Sequence, residues 1–171
     1  MYFDEPPKTK RADFYNFDHE LQLFLEALRG GTRLTVVTAL RRMGKTSLLE
    51  RFGQLSAKEQ ASFIVAFDEA QEFRRLAGFD LPKMLAHLYD YVLSVQMVLT
   101  GSQMGFLYDF LGIENPKAPL YGRHYVDIRL HHLTPEEAKE YLVKGFEQLG
   151  SPSDPLLIEK AVTRLNGIIG W

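Results

Sequence analysis

Two stretches carry side chains suited to chemistry: Gly44-Lys45-Thr46-Ser47, and the adjacent acids Asp68-Glu69. A glycine, a lysine and two hydroxyls in a row suit an anion. Backbone N–H groups of such a loop and of a following helix N-terminus point at a phosphate, and the lysine adds a mobile positive charge. In that chemistry Lys45 bridges the terminal phosphates, and the Thr46 hydroxyl holds Mg²⁺. Asp68 then supplies a carboxylate beside the metal, and Glu69 a second group that orients or deprotonates water. The competing accounts are a surface lysine in a turn and a solvated strand end. The second explains one acid more readily than two.

A Gly-Lys-Ser/Thr triplet arises by chance in on the order of one chain in ten of this length, so its surroundings decide. The apolar, β-branched run Leu34 to Thr38 predicts a strand feeding the loop, and Leu48, Leu49 and Phe52 predict a helix after it with Gly53 as its stop. The loop also contains Arg41, Arg42 and Met43, the arginines facing either nucleotide or solvent. The full phosphate-loop pattern has a glycine, four residues and then the Gly-Lys-Ser/Thr triplet, and here the first glycine is replaced by Ala39. Alanine there costs about 1 kcal/mol or more if its φ must be positive.

Ser62 to Phe67 is an apolar run bounded at both ends and predicts a buried parallel strand that ends on Asp68-Glu69. Val95 to Leu99 predicts a third strand, running into Thr100-Gly101-Ser102-Gln103. Ligands of parallel α/β sheets bind at the carboxyl ends of strands, which brings both acids and the Thr100 and Ser102 hydroxyls to the edge where the phosphate loop opens. The hydroxyls either reach the γ-phosphate and its water or cap the next helix. Val126, Ile128 and Leu130 alternate with Asp127 and Arg129, which predicts a half-covered edge strand. Arg123, in the loop before it, either stabilises phosphate charge, in cis or across a subunit interface, or makes an ordinary ion pair. His131-His132 has no partner at metal-ligand spacing.

Helices fill the intervals. Asn16 or Asp18 is the expected cap of a first helix with Leu21, Phe24, Leu25 and Leu28 on one face, ended by Gly30-Gly31. Asp80 caps a second helical stripe of Leu81, Leu85, Leu88 and Val92, and Phe106 to Leu111 forms a short helix stopped by Gly112. Thr134-Pro135-Glu136-Glu137 is a capping box, and a last helix from Asp154-Pro155 buries Leu157, Ile158, Ala161, Val162 and Leu165. The expected fold is α/β: a parallel sheet flanked by helices over residues 1–131, the N-terminal segment 1–30 included, then a small helical lid over 132–171.

Composition narrows the class. With 46% hydrophobic and 25% charged residues the chain is an ordinary globular one, long enough for a real core. A net charge of −2 gives no basic footprint for nucleic acid. The absence of cysteine excludes disulfides and thiolate zinc sites. No apolar run approaches the roughly 20 residues that span a membrane, and the start lacks a signal-peptide pattern, so a cytoplasmic location is expected.

These motifs together resemble the archaeal ATPase family, in the STAND branch of P-loop NTPases and related to AAA+ proteins. The matching stretches are Phe14-Tyr15-Asn16 with Glu20-Leu21, Leu40 to Leu49, Phe67 to Glu72, Leu99 to Ser102, Pro119 to Arg123, and Asn166 to Trp171. The resemblance implies a P-loop NTPase core that binds and hydrolyses ATP as a nucleotide-dependent switch. Nucleotide lies against Arg42, Met43, Gly44, Lys45, Thr46, Ser47 and Ser102, with Mg²⁺ at Thr46 and Asp68. Lys45, Glu69 and Arg123 are the catalytic set, and the neighbourhood of Thr100 and Ser102 is a sensor. The partners implied are ATP and ADP, with a protein partner or self-association, and DNA only through a further C-terminal domain. Phe17 stands where the family has an arginine on the adenine side, and Ile169 where its lid motif has proline. Lys45 and Asp68 are 23 positions apart, where the family places another strand and helix. A missing strand–helix unit, or two joined segments of a longer protein, is therefore expected. The alternatives to an ATPase are a degenerate, non-catalytic nucleotide-binding or scaffold domain, and a small-molecule phosphotransferase.

Overall fold

β-Branched residues dominate Leu34–Thr38, and in the computed structural model, which describes residues 15–40, 42–56, 63–102 and 104–168, this run is strand β1, buried at every position. It pairs in parallel with β3 (Val95–Gly101) on one side and β4 (Val126–Arg129) on the other. β2 (Phe63–Phe67) pairs in parallel with β3, so the sheet order is β2-β3-β1-β4. Parallel neighbours need crossovers. These contain α2 (Lys45–Ser56), α3 (Leu81–Tyr91) and α4 (Met104–Leu111), with α1 (Asp18–Arg29) before the sheet and α5 (Pro135–Gln148) and α6 (Pro155–Leu165) after it.

Alternation along β1 divides the core into two layers. Val37 joins Phe24, Leu48 and Phe52 under α1 and α2. Leu34 and Val36 join Leu81, Leu85, Leu107 and Leu111 under α3 and α4. The rings of Phe24 and Phe52 meet edge to face, 4.3 Å between centroids, and lock α1 to α2. A parallel sheet covered by helices on both faces is the expected arrangement, and the register delivers its functional edge. Thr38 is level with Gly101 and with Arg129, and Phe67 with Leu99. Ala39, Asp68 and Ser102 therefore leave their strands at one edge.

Several local expectations give way to tertiary context. β2 is not a buried strand but an edge strand. Its outer edge is unpaired among the described residues, and Phe63 is 77% exposed. Gly53 does not stop α2, which runs on to Ser56; a mid-helix glycine weakens a helix without ending it. Neither Asn16 nor Asp18 is the cap of α1, because Phe17 holds that position in the left-handed region with its side chain buried. On α6 only Ile158 is fully buried, and Leu157 faces solvent. A long step between Gly53 and Gln60 would mark joined chain pieces; α2 runs unbroken to Ser56, and 57–62 lie outside the described residues, as do Arg41, Gln103 and Ile169.

The C-terminal helices have their own small core of Leu133, Ala138 and Tyr141, with Tyr15, Leu142 and Val162 packed against it. The Thr134 capping box forms as expected: Glu137 N–H donates to Thr134 Oγ1 at 3.2 Å and Thr134 N–H to Glu137 Oε2 at 2.8 Å. The chain just before α1 is fastened to α5, with Tyr15 Oη donating to Glu140 at 2.8 Å and Asn16 Nδ2 to Glu137 at 3.1 Å. Among the described residues no helix is long and apolar enough to cross a membrane.

Candidate phosphate and metal site

The loop between β1 and α2 is pinned from below. Ala39 N–H donates to the Gly101 carbonyl at 3.3 Å, and the side chains of Ala39 and Met43 lie in the α1–α2 core. Met43 can therefore offer nucleotide only its backbone. The turn is made by positive φ at Arg42 (63°) and Gly44 (86°), and the Phe17 ring packs beside Gly44, where a Cβ would meet it at 3.4 Å, an ordinary contact. Arg42 is exposed, and Ser47 is half-buried on the first turn of α2. The N-terminus of α2 gives the loop its positive end.

Lys45 opens α2 and is only 6% exposed, so its ammonium needs a partner. That partner is Glu69, whose Oε1 lies 3.3 Å from Nζ. Thr46 Oγ1 faces the other acid, 3.5 Å from Asp68 Oδ2. The third strand closes the group. The Thr100 hydroxyl donates to Asp68 Oδ1 and accepts from Glu69 N–H at 3.1 Å, while Ser102 N–H donates to Glu69 Oε2 at 3.1 Å. Burial pushes the Glu69 carboxyl up, but donors from Gln71, Ser102 and Lys45 outweigh it and hold Glu69 below the ordinary glutamate range. Glu69 is thus an anion in the folded protein at neutral pH.

Thr46 and Asp68 suit Mg²⁺. Both are hard oxygen donors, both are exposed, and they leave most of an octahedral shell to water and phosphate oxygens, as Mg²⁺ prefers. Among the described residues no cluster of three or more His, Asp or Glu side chains makes a protein-only metal cage, and His132 bonds the Asn166 carbonyl instead.

Arg123 is elsewhere. It precedes β4 and pairs with Asp90 just ahead of β3, Nε to Oδ1 at 3.1 Å, with a further bond to the Pro119 carbonyl and the Tyr89 ring beneath it. In a parallel sheet that is the amino edge, opposite Lys45. The side chain that sequence patterns did not single out is Gln71, which reaches back to Glu69 from a 3₁₀ turn (Ala70–Arg75). No local signal separates it from a loop glutamine.

No family model matches the chain, and no curated protein matches it. Solved structures do. The chain is similar to a Walker-type ATPase of Pyrococcus abyssi, at 27% identity and a TM-score of 0.85 over 100% of this chain and 69% of that one. It is similar to RuvB of Thermotoga maritima, at 15% identity and a TM-score of 0.65 over 95% of this chain and 61% of that one. It is also similar to the replication initiator DnaA bound to AMPPCP and single-stranded DNA, at 15% identity and a TM-score of 0.64 over 96% and 64%. The chain thus has the α/β fold of P-loop ATPases, a parallel sheet flanked by helices.

Proposed function

We propose that this chain binds ATP with Mg²⁺ and hydrolyses it, serving as a nucleotide-dependent switch with residues 132–171 as its lid. The observation that supports this most is the 3.3 Å pair between Lys45 and Glu69 at the mouth of the phosphate loop. An ammonium and a carboxylate held together at a helix N-terminus are two halves of one reaction, separated when a polyphosphate arrives. Lys45 then turns to the terminal phosphates and Glu69 Oε1 becomes free to accept a proton from water. The water oxygen forms the new bond to the γ-phosphorus as the bond to the bridging oxygen breaks, leaving ADP and phosphate. Thr46 and Asp68 hold Mg²⁺, which when bound neutralises phosphate charge. Arg42, Gly44 and Ser47 bind phosphate through the loop and the first turn of α2, Met43 through its backbone, and Ser102 lines the γ-phosphate side.

Arg123 has no route to the phosphates of its own chain. Its catalytic role is to a neighbouring copy, on self-association that releases it from Asp90. Protein partners bind the lid, and DNA is contacted only through a C-terminal domain beyond this stretch. The test is ATP binding and hydrolysis by the protein beside Lys45→Ala. Saturable binding with turnover, both lost in the variant, is the expected result. Binding without turnover would favour the non-catalytic alternative, and no saturable binding would leave only a scaffold.

A further inference from the structure

Gln71 is 5% exposed, two residues past Glu69. Its Nε2 donates to Glu69 Oε2 at 2.6 Å, and Ser102 N–H donates to that same oxygen. The other oxygen, Oε1, faces Lys45. The carboxylate is therefore divided into one oxygen held by two protein donors and one held by a mobile lysine.

Gln71 itself is badly served by this arrangement. Its Oε1 is buried with no hydrogen-bond partner among the described residues. An orphaned buried acceptor is disfavoured, and native structures keep few of them. Turning the amide over gives no relief, because its oxygen would then face the anionic carboxylate. The orientation of Gln71 is dictated by Glu69. The space it fills is kept open by Gly101, where a Cβ would stand 2.8 Å from Gln71 Oε1 and 2.9 Å from Leu107 Cδ2. Glu69 meanwhile has a left-handed backbone, φ 47° and ψ 50°, which its neighbours must enforce.

We propose that Gln71 is a positioning residue: with Ser102 N–H it pins Glu69 Oε2, so that only Oε1 passes from Lys45 to the attacking water. This rests on the ATPase reading above. With Oε2 fixed, the departure of Lys45 leaves Oε1 aimed where it was instead of freeing the carboxylate to rotate. Reaction rate is steep in such alignment. Gln71 acts through Glu69, the acid its amide holds.

The test combines turnover, ATP binding and side-chain amide NMR of the ATP-free protein. Gln71→Met and the isosteric Gln71→Glu should each lower kcat about 10- to 100-fold, with ATP affinity held within about twofold. In a Glu69→Gln background Gln71→Met should change the residual turnover by less than about twofold, since the two residues act as one unit. The Gln71 amide proton, assigned by its loss in Gln71→Met, should move upfield in Glu69→Ala. Wild-type kcat in Gln71→Glu, or an undiminished effect in the Glu69→Gln background, would overturn the proposal. An amide resonance that ignores Glu69→Ala would do so even in a protein that turns over no ATP. Failure of the ATPase reading shows separately, as a wild-type rate no higher than that of Lys45→Ala.

Discussion

The backbone of Gly167 lies directly on that of Leu133: Leu133 N–H donates to the Gly167 carbonyl at 3.1 Å, and a Cβ on Gly167 would overlap the Leu133 carbonyl oxygen and stand 2.9 Å from its nitrogen. This contact, with His132 Nδ1 at 2.7 Å from the Asn166 carbonyl, ties the end of α6 to the chain between β4 and α5.

Gly167→Ala should therefore be costly for two reasons. A φ of 73° is strained for alanine, and the overlap is with backbone, which cannot swing aside. Together these should remove about 2–4 kcal/mol, a fall in Tm of roughly 4–16 °C for a chain of this size. Gly150→Ala is the control: φ is 65° and nothing lies within 4 Å of its Cβ, so only the strain of about 1 kcal/mol applies. Equal melting shifts in the two variants would show that the contact with Leu133 is not what matters.

Ala39 carries no positive φ; in this loop Arg42 and Gly44 do. Its methyl is buried among the α1–α2 core residues, and its N–H is used by Gly101. Ala39→Gly should accordingly leave ATP affinity unchanged and destabilise the fold by about 1 kcal/mol, from the lost methyl burial and the freer unfolded chain. Calorimetric titration and urea melts check both. A severalfold gain in affinity would mean that alanine does strain the loop.

What was legible in the residues was what depends on short range. The β-branched run from Leu34 forms β1, the triplet ending at Thr46 opens α2, and the acids after Phe67 follow β2, each where local pattern predicts. Asp80 and Thr134 cap their helices because a cap is decided within four residues. Illegible were the features set by distant chain. Ser62 to Phe67 reads as a buried strand, yet whether a neighbour lies outside β2 depends on the sheet order and not on its own composition. Phe17 reads as an adenine-side departure, and only the fold shows its ring packed on Gly44. Gln71 returns to Glu69 because a 3₁₀ turn follows the strand, where helix or loop would point it elsewhere.

Tyr108 fastens α4 to β4, its hydroxyl donating to Asp127 Oδ1 at 2.6 Å while Asp127 Oδ2 holds Arg129 Nε at 2.6 Å. Burial, then the hydrogen bond to Asp127 and its charge, push the phenol well above the ordinary tyrosine range. The folded state keeps this proton where the unfolded chain, titrating near about pH 10, releases it. The native state then binds more protons, so stability is full below about pH 10 and falls as pH rises above it. Urea midpoints measured from about pH 9 to 11 should fall less steeply in Tyr108→Phe than in the wild type. Parallel slopes would remove Tyr108 from the account.

The Lys45–Glu69 pair makes two demands that separate binding from turnover. To receive a phosphate, Lys45 must first leave Glu69 Oε1, so the ion pair competes with nucleotide. Glu69→Gln keeps the shape and removes the charge. It should raise ATP affinity, by a few-fold rather than by orders of magnitude, because Lys45 is buried but Glu69 is 36% exposed, and solvent screens part of the charge that competes with phosphate. The same change removes the proton acceptor for water and should lower kcat at least about 100-fold. Binding measured by titration and turnover by phosphate release should therefore move in opposite directions in this single variant. A fall in both would mean that Glu69 supports the loop structurally, and turnover that survives would mean that another group takes the proton.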